Sequence, residues 1–230
     1  MRTAAILPVK SFARAKQRLS VSLEQRLRVA LAGAMVGDVI DALAATERIE
    51  ATYVVTREQS ARAAALAAGA TVIEDGSEAG QSAAVGLGVR RALAEGFDRV
   101  LCVPGDCPTL DPSELAGLLA DHAGSGPEVV VLPDRHGTGT NGLLLAPADA
   151  IEPSFGPGSC ERHVAMAAAA GVACRIEPLP SLTLDVDTGD DLAALREALA
   201  RSAGRARRTR AVLGDPATQT SAPADRSQLR

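Results

Sequence analysis

The sequence predicts a three-layer α/β domain of the Rossmann-like type, in which helices cover both faces of a mostly parallel sheet. Short apolar runs rich in Val, Leu and Ile alternate with stretches of Ala, Leu, Arg and Glu that have helical period. The apolar runs are continuous, which is typical of strands buried on both faces. The chain has 230 residues, 47% of them hydrophobic, and can therefore form one such domain with a sizeable core.

Eight apolar runs are predicted as strands and six stretches as helices. The strands are expected at 3–9, 50–56, 70–75, 99–104, 128–133, 141–147, 173–178 and 181–187. The helices are expected at 23–45, 58–68, 80–95, 112–123, 159–170 and 188–200. Because no helix separates 128–133 from 141–147, one of these two strands is expected to break the parallel pattern.

The C-terminal segment differs in composition from the rest of the chain. Residues 201–230 contain seven Arg and two Asp, a local charge of +5, whereas the whole chain carries −4. The segment has few large apolar side chains to offset the entropy lost on ordering. We therefore predict a folded domain over 1–200 and a basic, disordered tail over 201–230. Contact with an anionic partner is the alternative for the tail.

The cysteines and the lengths of the apolar runs limit where the protein is expected to act and what it is expected to bind. The four cysteines show no CxxC spacing and are expected to be small core residues in a reducing cytoplasm. No apolar run approaches the ~18 residues of a membrane span, and the N-terminus does not resemble a signal peptide. We expect small-molecule substrates, with no nucleic acid and no membrane as partners, and a homodimer is possible.

One carboxylate follows a strand in the stretch "VLCVPGDCPTLDP". Asp106 comes directly after the predicted strand 99–104, and ligands of open α/β sheets bind outside the carboxyl ends of the strands. In "LTLDVDTGDDL", Asp185 and Asp187 alternate along an extended segment and so point to one side. Such carboxylates suit Mg²⁺, although Asp187 or Thr188 could instead be a helix N-cap.

A basic loop follows the first strand. The only two lysines of the chain, Lys10 and Lys16, both lie in "LPVKSFARAKQRLS", together with Arg14 and Arg18. Lysine binds phosphate as a compact point charge, so the loop is predicted to hold a polyphosphate; a solvated basic loop is the alternative. Neither the P-loop motif nor GxGxxG is present.

A third cluster is predicted to bind a small anion. Thr140 lies in the small-residue loop "GTGTNG", and "FGPGS" leads into a helix that is expected to begin near Ser159. Backbone N–H groups at a helix N-terminus bind anions. The two nearby histidines, His136 and His163, are interpreted as hydrogen-bonded or exposed residues without a catalytic role.

Five motifs occur in register: "ILPVKSFARAKQRL", "VPGDCPTL", "RHGTGTNGLLL", "SFGPGSCERH" and "LTLDVDTGDDL". Together, over about residues 2–200, they resemble the guanylyltransferases of coenzyme F-420 biosynthesis. The resemblance implies a GT-A-like nucleotidyltransferase fold. It also implies transfer of GMP from GTP to the phosphate of a three-carbon acid, with release of diphosphate.

The resemblance assigns roles to matching positions. It implies Mg²⁺ as the cofactor, held by Asp106, Asp185 and Asp187. It implies that Lys10 and Lys16 act in catalysis with Asp106, and that the acid is held by Thr140, Gly156 and Ser159. The implied nucleotide-binding residues are Pro8, Val9, Lys10, Arg14, Lys16, Gln81 and Ser82. Gln81 and Ser82 depart from the Leu-Asn pair that is common in the family.

Several alternatives stay open at this point. The Arg- and Ala-rich composition favours phosphoenolpyruvate as acceptor, giving enolpyruvoyl-2-diphospho-5'-guanosine, over 2-phospho-L-lactate or 3-phospho-D-glycerate. A nucleotide-sugar or molybdopterin-type nucleotidyltransferase would use the same fold with another acceptor. "DVD" weakly matches the DxD pair of glycosyltransferases, and a non-catalytic GTP-binding module is the alternative of another class.

Overall fold

The computed structural model describes residues 1–14, 16–21, 23–76, 79–124, 126–201 and 204–214. Over these residues the chain forms one seven-stranded sheet of order β3-β2-β1-β4-β6-β5-β7. All strand pairs are parallel except the two made by β6, which confirms the expected break in the pattern. The strands are β1 (Thr3–Val9), β2 (Ala51–Thr56), β3 (Thr71–Ile73), β4 (Arg99–Cys102), β5 (Glu128–Pro133), β6 (Thr140–Ala146) and β7 (Ala173–Ile176).

Helices cover both faces of the sheet and complete the predicted three layers. One apolar cluster packs α1, α2 and α4 against one face, and a second packs α3 and α5 against the other. Neighbouring strand residues serve opposite faces, as Leu7 and Ile6 do on β1. The helices are α1 (Gln25–Ala45), α2 (Gln59–Ala67), α3 (Gln81–Ala94), α4 (Pro112–Asp121), α5 (Ser159–Ala169), α6 (Gly189–Arg201) and α7 (Arg207–Gly214).

A third apolar cluster holds the basic loop in place. Leu19 and Leu23, just after Lys16, are buried against α1 and against Leu192 and Leu195 of α6. Because α6 directly follows the "DVD" carboxylates, this packing brings the lysine loop and those carboxylates to the same edge of the sheet. The apolar cluster therefore positions two groups that lie far apart in the sequence.

The prediction of an eighth strand at 181–187 is wrong. The chain forms a short 3-10 turn at Pro180–Leu182 and then crosses the carboxyl edge of the sheet without joining it. The backbone N–H of Val186 donates to the carbonyl of Asp106 at 3.2 Å, and the Val186 side chain is fully buried. The alternating pattern therefore reflects one buried residue between two carboxylates, not strand pairing.

The predicted boundary at residue 200 is also wrong, because part of the tail is folded. Helix α7 packs on α1, where the buried Asp38 carboxylate accepts hydrogen bonds from the backbone N–H groups of Arg208 at 2.9 Å and Thr209 at 2.8 Å. This carboxylate caps the first turn of α7. Residues 215–230 lie outside the described residues. Within the described part of the chain, no helix combines the length and apolarity needed to cross a bilayer.

Candidate active site

A cavity of about 430 Å³ opens at the carboxyl ends of β1, β2, β3 and β4. Residues at or just beyond the carboxyl end of each of these strands line the cavity, as expected for an α/β sheet. Seven of the predicted site residues line it: Pro8, Val9, Lys10, Lys16, Gln81, Asp106 and Asp187. Arg57 after β2 and Asp75 after β3 line it too, and sequence reasoning missed both. Arg57 directly follows the predicted strand 50–56 and Asp75 ends the predicted strand 70–75, so a position at a strand end was the signal that could have found them.

Lys16 lies between two carboxylates. Its Nζ donates to Asp106 Oδ2 at 2.6 Å and to Asp187 Oδ1 at 2.7 Å, and its side chain is 8% exposed. Burial alone would lower the pKa of Lys16, but the two carboxylates outweigh it and raise the pKa above its usual value. Lys16 also adopts a left-handed backbone with φ of +56°, which is uncommon for a residue other than glycine. The chain therefore holds a permanent cation at this point.

The predicted metal ligands are close together. Asp185 accepts a hydrogen bond from Asn141 Nδ2 at 3.2 Å, and burial, helped by the neighbouring Asp106 and Asp187, raises its pKa. Within the described residues, Asp106 Oδ1 is buried without a hydrogen-bond donor, and such an atom favours a cation.

By donor chemistry these carboxylates fit Mg²⁺, which prefers hard oxygen ligands. No set of three or more His, Cys, Asp or Glu side chains in the described residues is arranged as a ready-made metal cluster, and Lys16 holds Asp106 and Asp187. The assignment of Mg²⁺ therefore stays a prediction.

Two further cations lie at the edge of the cavity, the predicted Lys10 and the unpredicted Arg57. Lys10 and Arg57 are exposed at the rim of the cavity, at the ends of β1 and β2. Two cations at the rim and one fixed inside suit a polyphosphate chain that extends outward from the Asp106 carboxylate. The side chain of Arg14, also predicted to bind the nucleotide, lies outside the described residues.

Thr140 belongs to a second group of residues, on the α5 side of the sheet. Thr140 Oγ1 lies 3.1 Å from Nδ1 of the fully buried His163, whose Nε2 faces the backbone N–H of Ser154 at 3.0 Å. Burial, with the nearby Arg162 cation, lowers the pKa of His163 to about 4. The ring is therefore neutral at pH 7. Since its Nε2 accepts, its Nδ1 donates to Thr140. The hydroxyl hydrogen of Thr140 is then directed elsewhere.

His163 was interpreted from the sequence as a residue without a catalytic role, and the structure gives it a positioning role. It fixes the hydroxyl of Thr140 and the turn at Ser154 at once. The sequence carried no signal for this contact, because the two partners lie on different elements. His136, in contrast, is exposed on the loop before β6, where it accepts from Arg135.

The start of α5 differs from the expectation of an open anion site. The backbone N–H of Ser159 donates to the carbonyl of Gly156 at 3.0 Å, and that of Cys160 donates to the carbonyl of Thr138 at 3.2 Å. These two N–H groups are therefore already used. Ser159 itself is buried, and the turn offers the exposed backbone of Gly156, which has a left-handed φ of +114°. Neither residue lines the 430 Å³ cavity, and nor does Thr140.

Ser82 is placed against this second group and not on the cavity. Its Oγ accepts a hydrogen bond from the backbone N–H of Phe155 at 2.9 Å, whereas its neighbour Gln81 lines the cavity. The two residues were predicted to bind the nucleotide together. The helical geometry at the start of α3 instead directs them to different partners.

Solved structures share the fold of this chain. The chain resembles a nucleotidyl transferase from Methanothermobacter thermautotrophicus with a TM-score of 0.61 at 20% identity, over 87% of this chain and 98% of that one. It resembles a 4-diphosphocytidyl-2C-methyl-D-erythritol synthase with a TM-score of 0.60 at 15% identity, over 86% of this chain and 99% of that one. The predicted fold is thereby confirmed as that of nucleotidyltransferases.

Sequence comparison identifies the family. A family model described as "Guanylyl transferase CofC like" matches residues 3–205, and the chain belongs to this family of nucleotidyltransferase enzymes. It is 48% identical over 213 residues to the phosphoenolpyruvate guanylyltransferase of Conexibacter woesei, covering 93% of this chain and 96% of the relative. The resemblance drawn from the five motifs is confirmed, and family membership favours an enzyme over a non-catalytic GTP-binding module.

Two further relatives have different acceptors in their names. The 2-phospho-L-lactate guanylyltransferase of Methanothermobacter thermautotrophicus is 34% identical, over 84% of this chain and 83% of the relative. The 3-phospho-D-glycerate guanylyltransferase of Phenylobacterium zucineum is 35% identical, over 81% of this chain and 86% of the relative. These relatives are thus named for three different small phospho-acids.

Proposed function

We propose that the chain transfers GMP from GTP to the phosphate of phosphoenolpyruvate, forming enolpyruvoyl-2-diphospho-5'-guanosine and diphosphate, a step of coenzyme F-420 biosynthesis. The observation that carries this proposal is the buried Lys16 cation bridging Asp106 and Asp187 inside the cavity. With Lys10 and Arg57 at the rim, it supplies the fixed charge that a triphosphate needs.

The reaction depends more on alignment of the two substrates and on neutralisation of charge than on a general base. The attacking oxygen of the acceptor phosphate is already ionised at neutral pH, so its proton need not be removed. Lys16, with its raised pKa, stays protonated and opposes the charge that develops on the leaving diphosphate. Asp106, Asp185 and Asp187 would hold Mg²⁺, which, when bound, would neutralise charge on the triphosphate oxygens.

The acceptor is proposed to lie against Thr140, Gly156 and Ser159. Because His163 donates to Thr140, the Thr140 hydroxyl is left to donate to an anionic oxygen. Phosphoenolpyruvate is preferred over the other two acids because the relative named for it is 48% identical, against 34% and 35% for the relatives named for the others.

A turnover assay tests the proposal. Purified chain is given GTP, Mg²⁺ and each of the three acids in turn, and diphosphate release and product mass are measured. We expect phosphoenolpyruvate to give a kcat/KM at least about tenfold above the other two acids, a difference of about 1.4 kcal/mol. Higher kcat/KM with another acid would overturn the choice of acceptor, and preference for ATP or CTP over GTP would overturn the choice of nucleotide.

A further inference from the structure

We propose that Asp191 and Arg135 are positioning residues that fasten the acceptor side of the site to its carboxylate side. The acceptor loop is defined as residues 134–140, which end at Thr140, and the carboxylate segment as residues 183–188, which contain Asp185 and Asp187. The inference rests on the proposed function for the identity of the substrates. Its structural basis is a single buried carboxylate that contacts both segments.

Part of the role of Asp191 is that of an ordinary helix cap. The backbone N–H of Asp191 donates to Thr188 Oγ1 at 3.3 Å, and the backbone N–H of Thr188 donates to Asp191 Oδ2 at 2.7 Å. This reciprocal pair is a capping box at the start of α6. A capping box would by itself explain why an aspartate stands at position 191. It does not require the contacts that Asp191 makes with Asp187 and with the acceptor loop.

Asp191 also fixes the carboxylate segment. The same Oδ2 accepts from the backbone N–H of Asp187 at 3.0 Å and from the hydroxyl of Thr188 at 2.8 Å. Asp187 in turn places its Oδ1 2.7 Å from Lys16 Nζ. The Asp191 carboxylate therefore holds the backbone from which Asp187 reaches the lysine.

The second oxygen of Asp191 reaches the acceptor loop. Oδ1 forms an ion pair with Nη2 of Arg135, and the Asp191 side chain is only 7% exposed. The backbone N–H of Arg135 donates to the carbonyl of Thr183 at 3.0 Å, which gives a second link between the same two segments. The carboxylate of this pair is buried although the Arg135 side chain is 33% exposed, so removing the arginine leaves a buried charge without its ionic partner.

The acceptor loop is itself a closed turn, so fastening it at one residue fixes the rest. Asp134 Oδ1 accepts from the backbone N–H groups of His136 and Thr138, both at 3.1 Å, and the Asp134 N–H donates to the carbonyl of Gly139 at 3.2 Å. The carbonyl of Thr138 also accepts from Cys160 on α5. The Arg135–Asp191 pair therefore adds to the contact of Asn141 with Asp185 in keeping Thr140 at a set distance from the carboxylates.

The consequence for the reaction is geometric. The acceptor phosphate must meet the α-phosphorus in line, and a misplacement of ~1 Å can cost about a hundredfold in rate. Asp191 and Arg135 do not line the 430 Å³ cavity, so they are argued to act through Asp187 and Thr140. Their loss should therefore weaken use of the acceptor while GTP binding is largely kept.

Five variants test this inference. Arg135→Gln and Asp191→Asn each break the ion pair, the double variant removes both partners, and Asp190→Asn is the matched control, an exposed carboxylate on the same helical turn. We expect each single variant to raise the acceptor KM about tenfold with a smaller change in kcat. We expect the double variant to raise the acceptor KM no further than the more affected single variant does. Arg135→Lys should restore part of the loss. GTP affinity, measured by calorimetry without acceptor, should stay within about twofold, and Asp190→Asn should match the wild type.

Amide hydrogen exchange supplies a readout that needs no substrate. In Arg135→Gln and Asp191→Asn, exchange within 134–140 should be faster than in the wild type and in Asp190→Asn. Unchanged exchange overturns the proposal, as does faster exchange with an unaltered acceptor KM, since the pair would then be structural only. Additive losses in the double variant also overturn it, because Arg135 would then act on its own, for example on the acceptor. If the wild type turns over none of the three acids, the proposed function fails, and the exchange experiment still decides whether the pair holds the loop.

Discussion

The two sides of the site are held together by different forces. On the nucleotide side, Lys16 is buried between Asp106 and Asp187 at 2.6 and 2.7 Å, and full charges hold the geometry. On the acceptor side, Thr140 is held by a neutral His163 at 3.1 Å. A triphosphate needs compensating charge that does not depend on pH. A small acid needs a directed hydroxyl in a fixed turn.

The strongest test of the nucleotide side is Asp106→Asn. The substitution keeps the shape but removes the charge that pairs with Lys16 and that would bind Mg²⁺. We expect turnover to fall by at least ~10²-fold, as for the loss of a charge-stabilising group. Steady-state kinetics at saturating Mg²⁺ measures this, with Asp121→Asn, an exposed carboxylate at the end of α4, as the control. Normal turnover by a folded Asp106→Asn protein would remove the carboxylate from the mechanism.

The titration of His163, on the acceptor side, should make the free energy of unfolding depend on pH. The pKa of His163 is lowered to about 4 in the folded chain, from about 6.5 when unfolded, so the unfolded state binds the proton first. The stabilisation is complete above about pH 6.5 and is lost as the pH falls toward 4, by on the order of 2 kcal/mol. Denaturant unfolding at a series of pH values measures this.

The comparison variant for that experiment is His163→Gln, which cannot titrate. The difference in unfolding free energy between wild type and variant should shrink between pH 6.5 and 4 if the neutral ring holds the turn. A constant difference over this range would mean that His163 is not held neutral, and that a neutral ring does not fix the Thr140 hydroxyl.

A smaller effect separates Ser82 from its neighbour. Because Ser82 Oγ accepts from the backbone N–H of Phe155 in the turn before α5, Ser82→Ala should raise the acceptor KM a few-fold, the cost of one hydrogen bond of ~1 kcal/mol. Gln81→Ala, on the cavity, should instead raise the KM for GTP. Kinetics with each substrate varied in turn distinguishes the two. An increase in the GTP KM for Ser82→Ala would restore the nucleotide-binding role that the sequence suggested.

Local patterns in the sequence predicted most of the fold. Seven strands and six helices lie where apolar runs and helical periods placed them, within a few residues at each end. The segment 181–187 was mistaken for a strand because a buried Val186 between two aspartates has the same alternation as a strand. Helix α7 was missed because its cap, Asp38, lies 170 positions away from Arg208 and leaves no local signal.

The site was predictable as far as it depends on positions after strands. Asp106 and Lys10 were found from their places after predicted strands, and Asp187 from its alternation with Asp185 in an extended segment; the three line one cavity. The contact of Thr140 with His163 and the turning of Ser82 toward Phe155 join elements that are distant in sequence. Such contacts depend on how the helices pack on the sheet. The spacing of residues along the sequence does not specify that packing.

The most direct test of the two-sided site is a pair of binding measurements on Lys16→Ala and Thr140→Ala. Calorimetry gives the GTP affinity without acceptor and the phosphoenolpyruvate affinity with a non-hydrolysable GTP analogue present. Loss of a hydrogen bond to a charged group costs roughly 1.5–3 kcal/mol, about ten- to a hundredfold in affinity. We predict that Lys16→Ala weakens GTP by about this factor and Thr140→Ala weakens only phosphoenolpyruvate. If Thr140→Ala weakens GTP and leaves the acid unaffected, the two sides have been assigned the wrong way round.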